Sequence, residues 1–359
     1  MSTTTIPGPG TGSRPTGGRP AAPRRAGGPE GPRSSTGLLR QLRRRTARPG
    51  RALLLGVVPV ALISTFIVFL MTYLASANPA AQKLGENATP EAIARLNHSW
   101  GLDRGFFEQY VSWLGHAVTG DLGTSYFTDT SVGEAIAQRL PIDLALTIVA
   151  IVTAIVLGFA AGTIAAVRRG GIVDRVVTLV ASVLITIPEF WLAIMAVVLF
   201  SVTLGWLPSG GWVPFHQDPW QWLQHVLLPG VSLGLTVAAQ VARQLRGSLV
   251  SALDEDYVVG ARVRGLSPRR ILFGHALRNA AAPAIATVGL AVPTLLGGAV
   301  IAESIFGLPG LGQYALNGAQ SHDVPVIQGV LVATIAIVLI SNVVVDALLA
   351  RLRPATRKA

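Results

Sequence analysis

The chain has 359 residues, half of them hydrophobic and only 13% charged, with a mean hydropathy of +0.52 and a formal net charge of +11. A soluble domain carries roughly 25% charged residues, so the long uncharged stretches here point to lipid as solvent. There is no cysteine, which excludes disulfides, thiolate metal centres and cysteine catalysis.

Residues 1–50 are rich in Gly, Pro, Ser, Thr and Arg, hold one acid, Glu30, and read as a disordered basic tail. Its last part, 40–51, is a basic run that is either the ordinary positive flank of a first span or an anchor for anionic lipid. No charged residue follows until Lys83, and a first transmembrane helix is expected over 51–76. Ala75-Ser76-Ala77 resembles a signal-peptidase site, but the apolar run exceeds the ~7–15 residues of a signal peptide, so the helix is read as uncleaved. Residues 77–141 are mixed and polar and form a large extracytoplasmic loop domain. Five further spans are expected at 144–167, 176–204, 226–242, 283–302 and 326–349, each near the ~20 residues needed to cross a bilayer. The third is read as one tilted helix bent at Pro188. The fold class is thus all-α, a membrane protein of six transmembrane helices with its core over 142–350 and a short tail at 351–359.

Six crossings put both termini on one side. Of the Lys and Arg residues, 25 fall on the side of the termini and 4 on the other, namely Lys83, Arg95, Arg104 and Arg139. This bias places the termini in the cytoplasm and 77–141 outside an inner (plasma) membrane. The basic charge is spread over four cytoplasmic segments, which argues for membrane lipid and against nucleic acid as its partner.

The cytoplasmic stretch between spans four and five has an internal plan. Asp254, Glu255 and Asp256 mark a helix start, Gly265 a left-handed stop, and Ser267-Pro268 the cap of a second helix over 269–276. Its apolar residues Val258, Val259, Ile271, Leu272 and Phe273 either pack on the inner ends of the chain's own spans or dock another protein.

Inside the spans, Glu189 stands as a lone acid, which either lines a pore or bonds a neighbouring helix. Asp346 is expected to pair with Arg351 and Arg353, and Arg243 and Arg246 to anchor the inner end of span four. Gly158, Gly162, Gly230, Gly234, Gly289, Gly297 and Gly298 are expected at close helix contacts. The six histidines have no metal-ligand spacing, and no Gly-x-x-x-x-Gly-Lys-[Ser/Thr] loop is present, so neither a metal, another cofactor nor ATP is assigned to the chain.

Residues 255–279, EDYVVGARVRGLSPRRILFGHALRN, resemble the coupling loop of the dipeptide/oligopeptide/nickel permeases, the first of two permeases in binding-protein-dependent ABC importers. The likeness runs from about residue 50 through GLD (101–103), GDLGTS (120–125), RLP (139–141), AAVRRG (165–170) and FWL (190–192). LPSGG (207–211), LLPG (227–230), GLPGLG (307–312), DVPVIQG (323–329) and VVVDALL (343–349) continue it in the family's order. Where the wider importer motif has Glu-Ala-Ala, this chain has Val259, Gly260 and Ala261, and the tail of 1–50 is extra to the pattern.

The resemblance implies a non-enzymatic transport subunit that pairs with a second homologous permease, two cytoplasmic ATPase subunits and an external solute-binding protein. It further implies that the loop 254–278 carries the coupling helix, with Asp256, Tyr257, Ala261, Arg264, Gly265, Leu266 and His275 meeting the ATPases. Pro309 and Gly310 would form an external gate. Di- and oligopeptides are the cargo implied first; nickel, glutathione or another small solute are alternatives. A membrane enzyme and a non-transporting receptor or scaffold are the readings from other classes. The first lacks a convergent set of reactive groups, and the second has no need of the helix–glycine–helix.

Overall fold

The computed structural model describes residues 49–75 and 78–352; of the tail expected at 1–50, residues 1–48 lie outside that range, as do residues 353–359. The uncharged runs all fold as helices, and three of them continue well beyond their apolar centres, to ends set by polar caps. Helix α1 spans Pro49–Leu74. The segment expected outside the membrane then forms α2 (Pro79–Leu84), a 3-10 turn, α3 (Pro90–Trp100) and α4 (Phe106–Val118). Lys83 pairs with Asp129 at 2.8 Å, and Trp100 stacks on Tyr126 at 4.4 Å, tying this region to the loop before the next helix.

Helix α5 (Val132–Val167) begins twelve residues before the expected span. Ser131 caps it by accepting from the Glu134 N–H, and its added turns bury Val132, Ala135 and Ile136 against Leu311, Tyr314 and Val326. The third span is not one tilted helix. Helix α6 (Ile172–Thr186) and α7 (Glu189–Ala196, with a wide π turn to Thr203) meet at 104° around Ile187-Pro188. Proline restricts the residue before it to extended backbone, and Ile187 is extended (ψ 129°), so the first helix stops there.

Helix α8 (Pro219–Leu253) starts with Asp218 accepting from the Trp220 and Gln221 N–H groups at 2.9 and 3.0 Å, with Pro219 at the first helical position. Next come α9 (Asp256–Val263) and α10 (Pro268–Ile271). The helix expected over 269–276 is not separate: α10 passes through a π turn at Leu272–Ala276 into α11 (Leu277–Phe306), a single helical rod over Pro268–Phe306. Helices α12 (Leu311–Gln320) and α13 (Val324–Leu352) complete the chain. Among the described residues, four helices are long and apolar enough to cross a membrane, and six spans result if each of two bent pairs counts as one.

Helix α8 is the central element, packed against α5, α6, α7 and α11. Small residues permit this: a side chain at Gly162 would meet the Ala242 carbonyl and Leu245, and one at Gly234 the Ala150 carbonyl and Thr153. Gly158, Gly230, Gly289 and Gly298 sit at similar contacts, whereas Gly297 faces open space.

Candidate functional site

The corner between α8 and α11 is built from local rules. Asp256 lies in the first turn of α9, where a negative charge complements the positive helix end. At the other end Gly265 adopts φ +77°, its N–H donates to the Arg262 carbonyl (2.9 Å), and the Leu266 N–H donates to the Ala261 carbonyl (3.1 Å). This is a Schellman stop, and the apolar contact that accompanies one is present: Val258, Ala261 and Ile271 form a small buried cluster under Leu266. Ser267 then caps α10 by accepting from the Arg270 N–H, with Pro268 at its first position.

The apolar residues of the loop divide between the two readings. Val258 and Ile271 are buried within the corner, while Val259, Val263 and Phe273 are 53%, 83% and 64% exposed. Of the residues carried over by resemblance, Asp256, Tyr257, Arg264 and Gly265 are exposed and share one short stretch with half-buried Leu266. Ala261 is turned inward at 2% exposure, and exposed His275 lies about two turns along the rod from Ser267.

Two ion pairs fix the base of this corner. Arg169 pairs with Asp254 (2.5 Å), and Arg246 grips Asp174 with both ends of its guanidinium (2.5 and 2.7 Å). Asp174, 3% exposed, also accepts from the Gly170 N–H. Arg246 therefore ties α8 to the start of α6, a partner the sequence reading missed; Arg243 stays exposed. Asp346 is exposed and makes no ion pair with Arg351, while Arg353 lies outside the described residues.

Glu189 opens α7 immediately after the sharp bend and is half-buried. Its carboxylate lies over Gly298 of α11, next to Leu233 of α8, and has no hydrogen-bond or ion-pair partner among the described residues. Glu189 is not the sole acid in the bundle. Glu303 near the C-terminal end of α11 is 0% exposed and Asp143 in α5 is 3% exposed. The two cap α12: Asp143 accepts from the Leu311 N–H (2.8 Å), and Glu303 from Gly312 (3.3 Å) and Gln313 (2.6 Å).

Pro309 and Gly310 form the turn that these acids hold. Pro309 is exposed, but Gly310 is buried with the Glu303 carboxylate where a side chain would stand. Gly211 closes the end of α11 by donating to the Phe306 carbonyl (2.8 Å), which brings the 207–211 and 307–312 motifs together. The 120–125 and 323–329 motifs meet likewise: the Ser125 hydroxyl donates to Asp323 at 2.6 Å and the Tyr126 N–H at 3.3 Å. Burial raises the Asp323 carboxyl above its ordinary range and, aided by the nearby Asp323 charge, raises the Tyr126 phenol as well.

Residues 154–358 match the model of the family described as binding-protein-dependent transport system inner membrane component. The chain belongs to this family. Residues 51–147 match the companion model for the N-terminal part of such membrane components. This permease is 38% identical over 291 residues to a putative peptide transport system permease protein of Brucella abortus (strain 2308), covering 81% of this chain and 93% of that one. It is also 38% identical over 305 residues to the glutathione transport system permease protein GsiC of Escherichia coli (strain K12), covering 85% and 97%. In fold, the permease resembles the inward-facing methionine ABC transporter MetNI, with a TM-score of 0.50 at 21% identity over 60% of this chain and 95% of that one. It is an inner-membrane permease subunit of a binding-protein-dependent ABC importer.

Proposed function

We propose that this permease forms half of a translocation path for di- and oligopeptides, pairs with a second similar permease, and takes its drive from two cytoplasmic ATPases through α9 and the turn after it. The observation that carries the reading is the rod over Pro268–Phe306. Its 39 residues span roughly 58 Å, well beyond the ~30 Å hydrocarbon core. One end is the Schellman corner with its exposed Tyr257, Val259 and Val263, and the other holds Glu303 and the turn to α12. In this reading Asp256, Tyr257, Arg264, Gly265, Leu266 and His275 belong to the motor-facing corner, and Ala261 holds that corner closed from beneath. The relatives, a putative peptide permease and a glutathione permease, support peptide cargo, glutathione being itself a peptide. The charge bias of 25 to 4 supports cytoplasmic termini. An external solute-binding protein delivers the cargo, and Pro309-Gly310 acts at the outer end of the path.

The test is uptake of labelled peptide by proteoliposomes holding the four membrane subunits and the binding protein. ATP-dependent uptake is expected, and a Val259→Glu, Val263→Glu double variant should keep its partner permease while losing the ATPases on co-purification. Retention of both ATPases and full uptake by that variant would falsify the coupling role. Glu189, unpaired and facing the α8–α11 seam, is assigned to the path wall as a partner for substrate ammonium groups. Glu189→Gln should slow uptake of cationic peptides relative to neutral ones, and unchanged selectivity would remove that assignment.

A further inference from the structure

We infer that helix α4 lies within the hydrocarbon layer of the membrane, with one face in lipid and another lining a polar cavity, so that 77–141 is not simply a domain standing in solvent. Phe107, Val111 and Val118 are 70%, 63% and 80% exposed, and with half-buried Leu114 they recur at helical spacing as one stripe. The stripe carries no polar side chain. A second face, Phe106 and Tyr110, packs on α1 through edge-on contacts with Phe66 and Phe69, and Phe106 also meets Tyr73.

Depth decides what covers the stripe. The Tyr110 hydroxyl sits 3.0 Å from the Thr65 hydroxyl and donates to the Leu62 carbonyl at 3.2 Å. Leu62 is twelve residues before the end of α1 at Leu74, so the anchor point lies roughly 18 Å along that helix from its outer end. A helix pinned there through its second turn lies at hydrocarbon depth. Helix α1, on which α4 packs, has an exposed apolar side of its own, formed by Val60, Ile63, Ile67, Met71 and Leu74. The third face of α4 is polar. Gln109, Ser112 and His116 turn to a cavity of about 330 Å³ that Arg104, Asp121 and Tyr126 also line, where polar groups at membrane depth are tolerated. An apolar stripe beside a polar face thus lets α4 stand between lipid and the cavity.

The side assigned to α4 rests on the proposed topology, and the test separates the two. The chain has no cysteine, so single cysteines and nitroxide labels can be introduced without background. In the assembled importer in lipid, labels at Phe107→Cys, Val111→Cys and Val118→Cys should be accessible to oxygen and shielded from a water-soluble nickel chelate. Labels at Glu108→Cys and His116→Cys should show the reverse preference. Chelate access at the stripe means solvent, and shielding from both reagents means a protein partner such as the binding protein; either result overturns the inference. A membrane-impermeant maleimide on intact cells should label Glu108→Cys. Failure there refutes the external placement of 77–141, whereas the oxygen preference still decides whether α4 is seated in lipid.

Discussion

Glu303 offers a sharp test of how the outer end of the rod is held. Its side chain is fully buried and its two oxygens each accept one backbone N–H at the start of α12, from Gly312 at 3.3 Å and Gln313 at 2.6 Å. Glu303→Ala leaves both donors buried without acceptors, at about 1–3 kcal/mol each, or roughly 2–6 kcal/mol for the pair. Glu303→Gln keeps one acceptor and turns an NH₂ toward the other donor, so it should lie between Ala and the parent. The assay is amide hydrogen exchange across Leu311–Gln313 in nanodiscs, read beside the thermal midpoint of the same samples. Exchange should rise at least ~30-fold in the alanine variant, the equivalent of ~2 kcal/mol, and less in the glutamine variant. Unchanged protection in Glu303→Ala, or a Gln variant as damaged as Ala, would refute an explanation based on counting acceptors.

At the inner corner, Gly265 has φ +77° and open space around it, so a side chain there meets no clash and only the backbone cost of roughly 1–2 kcal/mol. Gly265→Val should reduce peptide transport per ATP hydrolysed, and Gly265→Asn, which tolerates the left-handed region, should restore most of it; equal behaviour of the two variants counts against the corner. Among packing glycines, Gly162→Ala would press on the Ala242 carbonyl and should destabilise by about 1–3 kcal/mol, while Gly297→Ala, in open space within a helix, should be neutral or stabilising by about 0.5–1 kcal/mol. Comparing thermal midpoints checks both, and equal losses would undo the packing argument. Asp323 is buried and its carboxyl is raised above the ordinary 3.8, so the folded state binds more protons than the unfolded one above that pH. Its contribution to stability is present near pH 4 and is lost as pH rises through the folded value, and Asp323→Asn should abolish that slope in a melting series. An unchanged slope would assign it to other groups.

The span centres were legible because lipid forbids charge over some twenty residues, a constraint written directly into composition. Span ends were harder to read, since α5 and α8 continue into polar sequence for as long as a cap and a buried face sustain them. Asp218-Pro219 and Ser131 are ordinary cap signals, and weighing them would have lengthened both helices. Pro188 marked the break in the third span, but a proline fixes where a helix stops and not the 104° at which the next one leaves. The corner was readable from Gly265 and Ser267-Pro268 because caps are local. The π turn that fuses α10 to α11 was not, since a one-residue change in backbone register leaves no periodicity to detect. Asp143 and Glu303 escaped because each lies one residue outside an apolar window and passes for an interfacial acid. Asp143 meets its partner 168 residues away in sequence.

The rod over Pro268–Phe306 touches each region proposed for transport: the corner at its inner end, Glu189 against Gly298 along its length, and the acid-capped turn at its outer end. It is not uniformly stiff. The π turn at Leu272–Ala276 and the prolines at 283 and 293 each interrupt the regular ladder of backbone hydrogen bonds, and all three lie between the corner and Gly298. From Gly298 to Phe306 the helix has no such break, and its far end is locked by Glu303 and by the Gly211 N–H. Under the proposed coupling, a push at the corner would be absorbed as bending in the half of the rod nearest it and delivered as a tilt of the far segment, moving Gly298, Glu303 and the start of α12 as one piece. On this argument the wall facing Glu189 and the outer turn change together, and a distance label between α7 and α11 should report the same transition as one between α5 and α12.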